Sequence, residues 1–298
     1  MRAVVRRVAA AAAALVGATV IGVGGAVVAP QAAADPCPRL YVLALAGTWA
    51  QGPGLLGAVT DGLGGGTKVD YVGYARTAFP FEKGGRNYGA SKAQGVNNAR
   101  GLALQMVRRC PGTRVALVGY SQGADAAGDL ASEVGTGLSP LRPGNIAGVV
   151  LLADPRRSYR DQLVGPRLSG QGSGGPRFNG FGAVNHKVYT ICEPEDMYCN
   201  VPRDYFITRI VGFLAEVSNP NPSQILAYGG EAAAILGEML TLGGPGQIVA
   251  ELSDAKARQQ ITTFMAFIRS GAHGRYGSFQ VRPGVTAVQW AHNYLNRL

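Results

Sequence analysis

Ser121 stands in the stretch Gly119-Tyr120-Ser121-Gln122-Gly123, at the end of an apolar run and ahead of an alanine-rich segment. A serine hydroxyl becomes a nucleophile when a base takes its proton, a carboxylate orients that base and donors meet the developing oxyanion. In a chain with 44 glycines the five-residue pattern decides little alone, so its surroundings carry the argument. Val115 to Gly119 read as a buried strand, and Ala124, Ala127, Ala131 and Val134 mark one face of a following helix. That is the strand–turn–helix setting of a nucleophile elbow. Gly119 and Gly123 leave room for a sharp turn, and the helix start aims free N–H groups and a positive dipole end at the serine.

The partners are sought downstream, because chain order in this architecture is serine, acid, histidine. His186 precedes a strand and comes too early. His292, in "VQWAHNYLNRL", reads as a helix-surface residue. His273 lies in the Gly-rich "SGAHGRYGS", between two helices, where a loop can reach a serine at the sheet edge; it is the expected base. For the acid, Asp196 sits in "CEPEDMYC" after the last strand, inside a loop that two cysteines can close. Asp154 in "LLADPRR" is the rival, with a turn role before Pro155 as its alternative. Glu193 and Glu195 read as solvated, and Asp125 and Asp129 as pointing elsewhere from the helix after the serine.

The elements that must hold these residues alternate. "RLYVLALAG", "KVDYVGY", "TRVALVG", "IAGVVLLAD" and "HKVYTIC" are strands. Helices are expected near Leu55 to Leu63, over Asn87 to Arg109 and after Ser121. Short apolar strands between helices predict an α/β fold, a parallel sheet covered on both faces. Beyond Cys199 the pattern turns helical. "DAKARQQITTFMAFIRSG" forms a helix capped by Ser253, and a last helix runs from Val285 to Leu295. The segment 203–252 is too long for a simple connection and reads as a helical insertion or lid. "LSGQGSGGPRFNGFG", Leu168 to Gly182, reads by composition as a flexible surface loop.

The totals narrow the class. The 298 residues, 47% hydrophobic and 15% charged, suffice for one sizeable core. Arg2, Arg6 and Arg7 precede a long apolar stretch and the small-residue site Ala32-x-Ala34, so 1–34 is the expected export signal and 35–298 the mature domain. A retained anchor is the alternative, and the Arg6-Arg7 pair leaves the export route open. Removing those arginines takes the formal charge from +10 to +7. A basic protein of this kind can favour an anionic envelope surface, but no run of basic residues exceeds two, and nucleic-acid binding is excluded by the lack of a basic block with interleaved aromatics. Four cysteines in an exported chain read as two disulfides. Three pairings exist; Cys192 and Cys199 are near enough to close a short loop, leaving Cys37 with Cys110. In the chain-entropy account these loops are worth roughly 2.5 and roughly 4 kcal/mol. With the cysteines paired, three scattered histidines offer no metal-ligand spacing, and no cofactor is implied.

Taken together, these residues resemble the cutinase family of serine esterases. The resemblance rests on Gly119 to Ala124, on Cys192-x-x-x-Asp196-x-x-Cys199, on the spacing of Cys37 and Cys110, and on His273-x-x-Tyr276 before the terminal helix. It covers about 37–202 and 254–298. It implies a three-layer α/β-hydrolase fold with a helical insertion and a nucleophile, acid and base at Ser121, Asp196 and His273. It also implies an oxyanion hole from Gln122 and from Thr48, the hydroxyl residue after the first strand. Two departures stand out. The histidine comes far later than in small cutinases, past an insertion similar to that of mycobacteriophage lysin B esterases, which cleave mycolyl esters. Tyr198 occupies a position where the family prefers a small branched residue.

The reaction so implied is hydrolysis of lipid or other acyl esters, outside the cell or at its envelope. Two alternatives keep the same scaffold: transfer of the acyl group to a sugar hydroxyl, or an inactive envelope-binding protein. The apolar faces of Ile225 to Leu240 are suited to sheltering a long acyl chain, or equally to packing on the core.

Overall fold

In the computed structural model, residues 36–83, 85–216, 218 and 254–298 are described. The expected leader, the Ser253 cap and the stretch Ile225 to Leu240 lie outside the described residues. Cys37–Leu298 forms one compact unit.

Strand β1 (Leu40–Leu45) is buried at all six positions, as an apolar run without polar alternation requires of a strand covered on both faces. It is followed by α1 (Leu56–Thr60), β2 (Thr67–Tyr71), α2 (Tyr88–Arg109), β3 (Arg114–Tyr120), α3 (Gln122–Thr136), β4 (Ile146–Leu152), β5 (Leu163–Val164) and β6 (Val188–Ile191). The six strands form one sheet in the order β2-β1-β3-β4-β6-β5, every pair parallel. After β6 come α4 (Phe206–Glu216), α5 (Asp254–Ser270), a short antiparallel pair β7 (Gln280–Arg282) and β8 (Val285–Thr286), and α6 (Ala287–Asn296). The terminal helix thus starts two residues later than its pattern suggests, because Val285 and Thr286 pair with β7 and the Thr286 side chain caps it, with Gln289 completing a capping box.

Alternation along the strands separates two cores. Tyr41, Leu43, Leu45, Leu117 and Leu151 pack with Val96, Ala99 and Ala103 of α2 and Ala124, Ala127 and Ala131 of α3. Leu40, Val42, Ala44, Val118 and Leu152 pack on the opposite face against α1 and α6. A period of two sends successive side chains to opposite layers, which gives a helix–sheet–helix sandwich.

The Gly-rich segment Leu168 to Gly182 is not a surface loop throughout. Residues 170–175 are buried, and its glycines permit close backbone approach: a Cβ on Gly172 would lie 2.1 Å from the Pro155 carbonyl oxygen. Composition signals freedom, whereas here the missing side chain is what lets the segment enter the fold. It delivers Arg177 into a buried ion cluster. Arg177 donates to Asp129 at 2.9 Å and to Asp154 at 2.7 Å, while Lys92 reaches Asp129 at 3.0 Å and also pairs with Glu216. Burial works to raise the Asp129 pKa, but Lys92, Arg156 and Arg177 more than offset it and hold the carboxyl well below its ordinary value. Its stabilising contribution is therefore complete above the ordinary carboxylate pKa and is lost as pH falls below it.

Replacing Arg177 by Met strands buried carboxylates without their cation. Urea unfolding at neutral pH should show a loss of about 3–5 kcal/mol, shrinking on acidification below about pH 4; a loss under about 1 kcal/mol would contradict the account.

Candidate active site

Backbone strain marks one edge of the sheet. Among the described residues, the non-glycine positions with positive φ are Trp49 (60°), Arg76 (55°), Ser121 (57°) and Ala153 (57°). Each lies just beyond the C-terminal end of a strand, on four adjacent strands, β1, β2, β3 and β4. Such conformations cost on the order of 1–3 kcal/mol each and gather where function holds them; the C-terminal strand edge is where ligands bind parallel sheets.

At Ser121 the turn is enforced by packing. A Cβ on Gly119 would meet the Gly123 carbonyl oxygen at 2.3 Å, and one on Gly123 would meet that of Leu45 at 1.9 Å. Strand β1 and the start of α3 therefore touch backbone to backbone, and the serine is lifted out of the sheet with its N–H bonded to the Leu152 carbonyl at 2.9 Å. The Gln122 side chain is turned inward, donating to the Thr77 carbonyl at 2.9 Å. Its backbone N–H belongs to the first turn of α3, where helical geometry leaves N–H groups without intrahelical partners. Thr48 follows Gly47, whose own Cβ position would lie 3.0 Å from that of Ser121.

The histidine arrives from the far end of the chain. Helix α5 stops at Gly271, with φ at 68°, and a short 3-10 turn over Ala272–Gly277 presents His273. Its Nε2 lies 2.8 Å from Ser121 Oγ and its Nδ1 2.9 Å from Asp196 Oδ2. Asp196 is fully buried inside the loop closed by the Cys192–Cys199 disulfide, while Cys37 pairs with Cys110. Asp196 also accepts from the Tyr276 hydroxyl at 2.7 Å and from the Tyr198 N–H at 3.0 Å. Burial and the adjacent Asp196 carboxylate push the Tyr276 phenol well above its ordinary pKa, so it stays a donor across the working range.

A small apolar cluster of Met197, Val201, Phe267 and Ala272, with Tyr198 and Phe264 against it, joins the acid loop to the histidine turn. The Tyr198 ring lies 4.5 Å from the His273 ring, centroid to centroid, and the Tyr120 ring 5.1 Å away on a stacked plane. The Tyr120 hydroxyl also donates to the His273 carbonyl. The imidazole thus contacts two aromatic rings. Spacing alone assigns no role to Tyr120, Tyr198 or Tyr276, although one adjoins the serine, one is the departure inside the cysteine loop, and one follows the histidine by three.

The rival residues lie elsewhere. Asp154 is held by the Arg156 N–H at 3.0 Å and by Arg177, and burial pushes its carboxyl up. His292 Nδ1 faces the Val59 carbonyl at 3.1 Å on α6. His186 sits in a short turn before β6. Glu193 is buried rather than solvated; it accepts from Arg275 at 2.9 Å, and Glu195 pairs with the same guanidinium. Both carboxylates are engaged in bracing the histidine turn.

This geometry, a strained serine joined through an imidazole to a buried carboxylate, meets a match at the level of sequence. The cutinase family profile aligns with residues 45–207. The chain belongs to the cutinase family. It is 28% identical over 214 residues to a carboxylesterase Culp6 homolog of Corynebacterium glutamicum, covering 58% of this chain and 69% of that protein. It is 30% identical over 204 residues to a probable carboxylesterase Culp3 of Mycobacterium tuberculosis, covering 64% and 69%. Among solved structures, lysin B from a mycobacteriophage aligns over 69% of this chain and 91% of its own, at 18% identity and a TM-score of 0.47. The cutinase-type chain described here is an ester hydrolase with an α/β-hydrolase fold.

Tyr276→Phe should leave Asp196 short of one charge-assisted hydrogen bond, costing about 1.5–3 kcal/mol of stability. It should also lower kcat for ester hydrolysis about tenfold with KM nearly unchanged. Steady-state kinetics with a soluble ester tests this; a change confined to KM would contradict a positioning role.

Proposed function

We propose that this cutinase relative is an exported serine carboxylesterase that cleaves long-chain acyl esters through Ser121, His273 and Asp196. The observation that carries the proposal is the unbroken run of hydrogen bonds from Ser121 Oγ through both imidazole nitrogens to Asp196. Ser121 Oγ attacks the ester carbonyl as His273 Nε2 takes its proton, and Asp196 stabilises the imidazolium so formed. The N–H groups of Gln122 and Thr48 meet the oxyanion; each such donor is worth on the order of 3 kcal/mol in the transition state. Collapse expels the alcohol, which takes the proton from Nε2. Water, deprotonated by the same nitrogen, then attacks the acyl-enzyme, and the second tetrahedral intermediate collapses to the acid as Nε2 returns the proton to Ser121 Oγ.

The substrate class is supported by the apolar groups around this edge. Beyond Thr48, Trp49 and Phe81 are 60% and 83% exposed, and Phe79 and Phe81 stack with centroids 5.2 Å apart. On α5, which leads into the histidine turn, Ile261, Met265 and Ile268 are also exposed. These suit a lipid acyl chain, with mycolyl-type esters of a cell envelope as the finer form of the proposal. Two disulfides and the leader-like start support export, since such bonds persist in oxidising compartments.

Hydrolysis of p-nitrophenyl esters from acetate to palmitate tests the reading. Activity should rise with chain length and fall by roughly 10³-fold or more in Ser121→Ala. An acetate optimum would remove the lipid assignment, and an active Ser121→Ala variant would remove the mechanism. For export, protein recovered from the culture medium should begin at Asp35; recovery only inside cells would contradict it.

A further inference from the structure

Trp49 and Arg76, two of the strained residues at the strand edge, take no part in the proton transfers and are bonded to each other. They hold φ at 60° and 55°, and the Trp49 N–H donates to the Arg76 carbonyl at 2.9 Å. Arg76 Nη1 also donates to the Gly52 carbonyl at 3.0 Å. Strain of this kind persists where the surrounding structure holds it to a purpose. What it holds here is a turn, residues 77–83, set beside the Trp49 indole.

Glu82 organises that turn. Its Oε1 accepts from the Trp49 indole N–H at 2.8 Å, and its Oε2 from the N–H groups of Ala78 and Phe79 at 2.8 and 3.3 Å. Its own N–H donates to the Phe79 carbonyl at 3.2 Å. Thr77 fastens the base, its hydroxyl donating to the Arg86 carbonyl at 2.7 Å and its carbonyl accepting from Gln122 Nε2. The tip, Phe79-Pro80-Phe81, is exposed at all three positions, and its two rings stack with their planes 5° apart. The N–H groups of Ala78, Phe79 and Glu82 are met inside the turn and Pro80 has none, which lowers the cost of carrying the tip into an apolar layer.

The charges around the tip have one sign. Lys83 and Arg86 follow it and are exposed. Glu82 is the only acidic residue between Asp70 and Asp125, and its oxygens are taken by the turn and the indole. Aromatic rings settle at the boundary between lipid headgroups and acyl chains, and basic side chains beside them are drawn to anionic headgroups. We propose that this turn seats the protein on an anionic lipid surface, with Phe79, Phe81 and the Trp49 ring in that boundary and Lys83 and Arg86 on lipid phosphates. The seating deepens the acyl-ester reading and rests on it in one respect, that the edge carrying Ser121 is brought to where lipid esters lie.

Cosedimentation with vesicles of ether-linked lipids tests the proposal, using the chain from Asp35 onward, which retains the whole compact unit Cys37–Leu298. The vesicles are phosphatidylcholine alone, or an equimolar mixture with phosphatidylglycerol. At about 50 mM salt the anionic vesicles should take up the protein at least tenfold more strongly than the neutral ones, with the preference falling as salt rises to about 500 mM. Phe81→Ser should weaken uptake by the anionic vesicles about tenfold. Lys83→Ser combined with Arg86→Ser should weaken it at least tenfold and leave uptake by neutral vesicles unchanged. Near-UV circular dichroism checks that each variant is folded, and Phe79→Ser replaces Phe81→Ser if that variant is not. Absence of uptake by anionic vesicles, equal uptake by both kinds, uptake undiminished in the variants, or tighter binding of soluble polygalacturonate would overturn the proposal. Ether lipids offer no carboxylic ester, so these readings do not depend on whether Ser121 is a working nucleophile.

Discussion

Asp196 is a carboxylate with no exposure to water, and its three donors come from places far apart in the chain. The Tyr198 N–H belongs to its own disulfide-closed loop, while His273 Nδ1 and the Tyr276 hydroxyl come from a turn some 80 positions later. A buried charge of this kind is tolerated only when its lone pairs are met. Holding those donors in place dictates much of the surrounding architecture. The apolar cluster of Met197, Val201, Phe267 and Ala272 fixes α5 against the acid loop. The Tyr120 hydroxyl ties the histidine turn to the end of β3 beside Ser121, and Arg275 fastens the same turn to Glu193.

The Ser121 side rests on a different constraint. Gly119 and Gly123 allow β3, α3 and β1 to meet at backbone contact, and the chain turns in that space through the strained Ser121 conformation, φ 57°. Behind α3, the cluster of Lys92, Asp125, Asp129, Asp154, Arg177 and Glu216 links α2, α3, the end of β4, the Gly-rich segment and the end of α4. Dense reciprocal pairing lets so many charges sit out of water, and through Lys92 and Glu216 it ties α4 to α2. The same Gly-rich segment that supplies Arg177 packs residues 170–175 into the fold.

Much of this was legible in the residues. Strands β1, β3 and β4 are apolar throughout because they are covered on both faces, and the helix after Ser121 shows its buried alanines at helical spacing. Ser121, Asp196 and His273 were reachable from residue type, chain order and the family resemblance, and the structure brings them within hydrogen-bonding distance. What escaped was long-range or easily masked. The pairing of Arg177 with Asp125, Asp129 and Asp154 spans 23 to 52 positions, and no local pattern announces it. Strand β5 has two residues, too few for periodicity. The segment 168–182 reads as a loop because glycine signals both freedom and close packing, and only neighbouring backbone tells them apart. Glu193 looks solvated in sequence because Arg275, its partner, lies 82 positions away.

The account stands or falls on whether the alcohol at Ser121 is activated by the imidazole it faces. Stoichiometric labelling with a fluorophosphonate, followed by peptide mass mapping, measures that directly. One phosphonyl group per chain should appear on Ser121 in the parent protein, and labelling should vanish in a folded His273→Ala variant. A folded parent that fails to label at Ser121, or a His273→Ala variant that labels as fast as the parent, would contradict it.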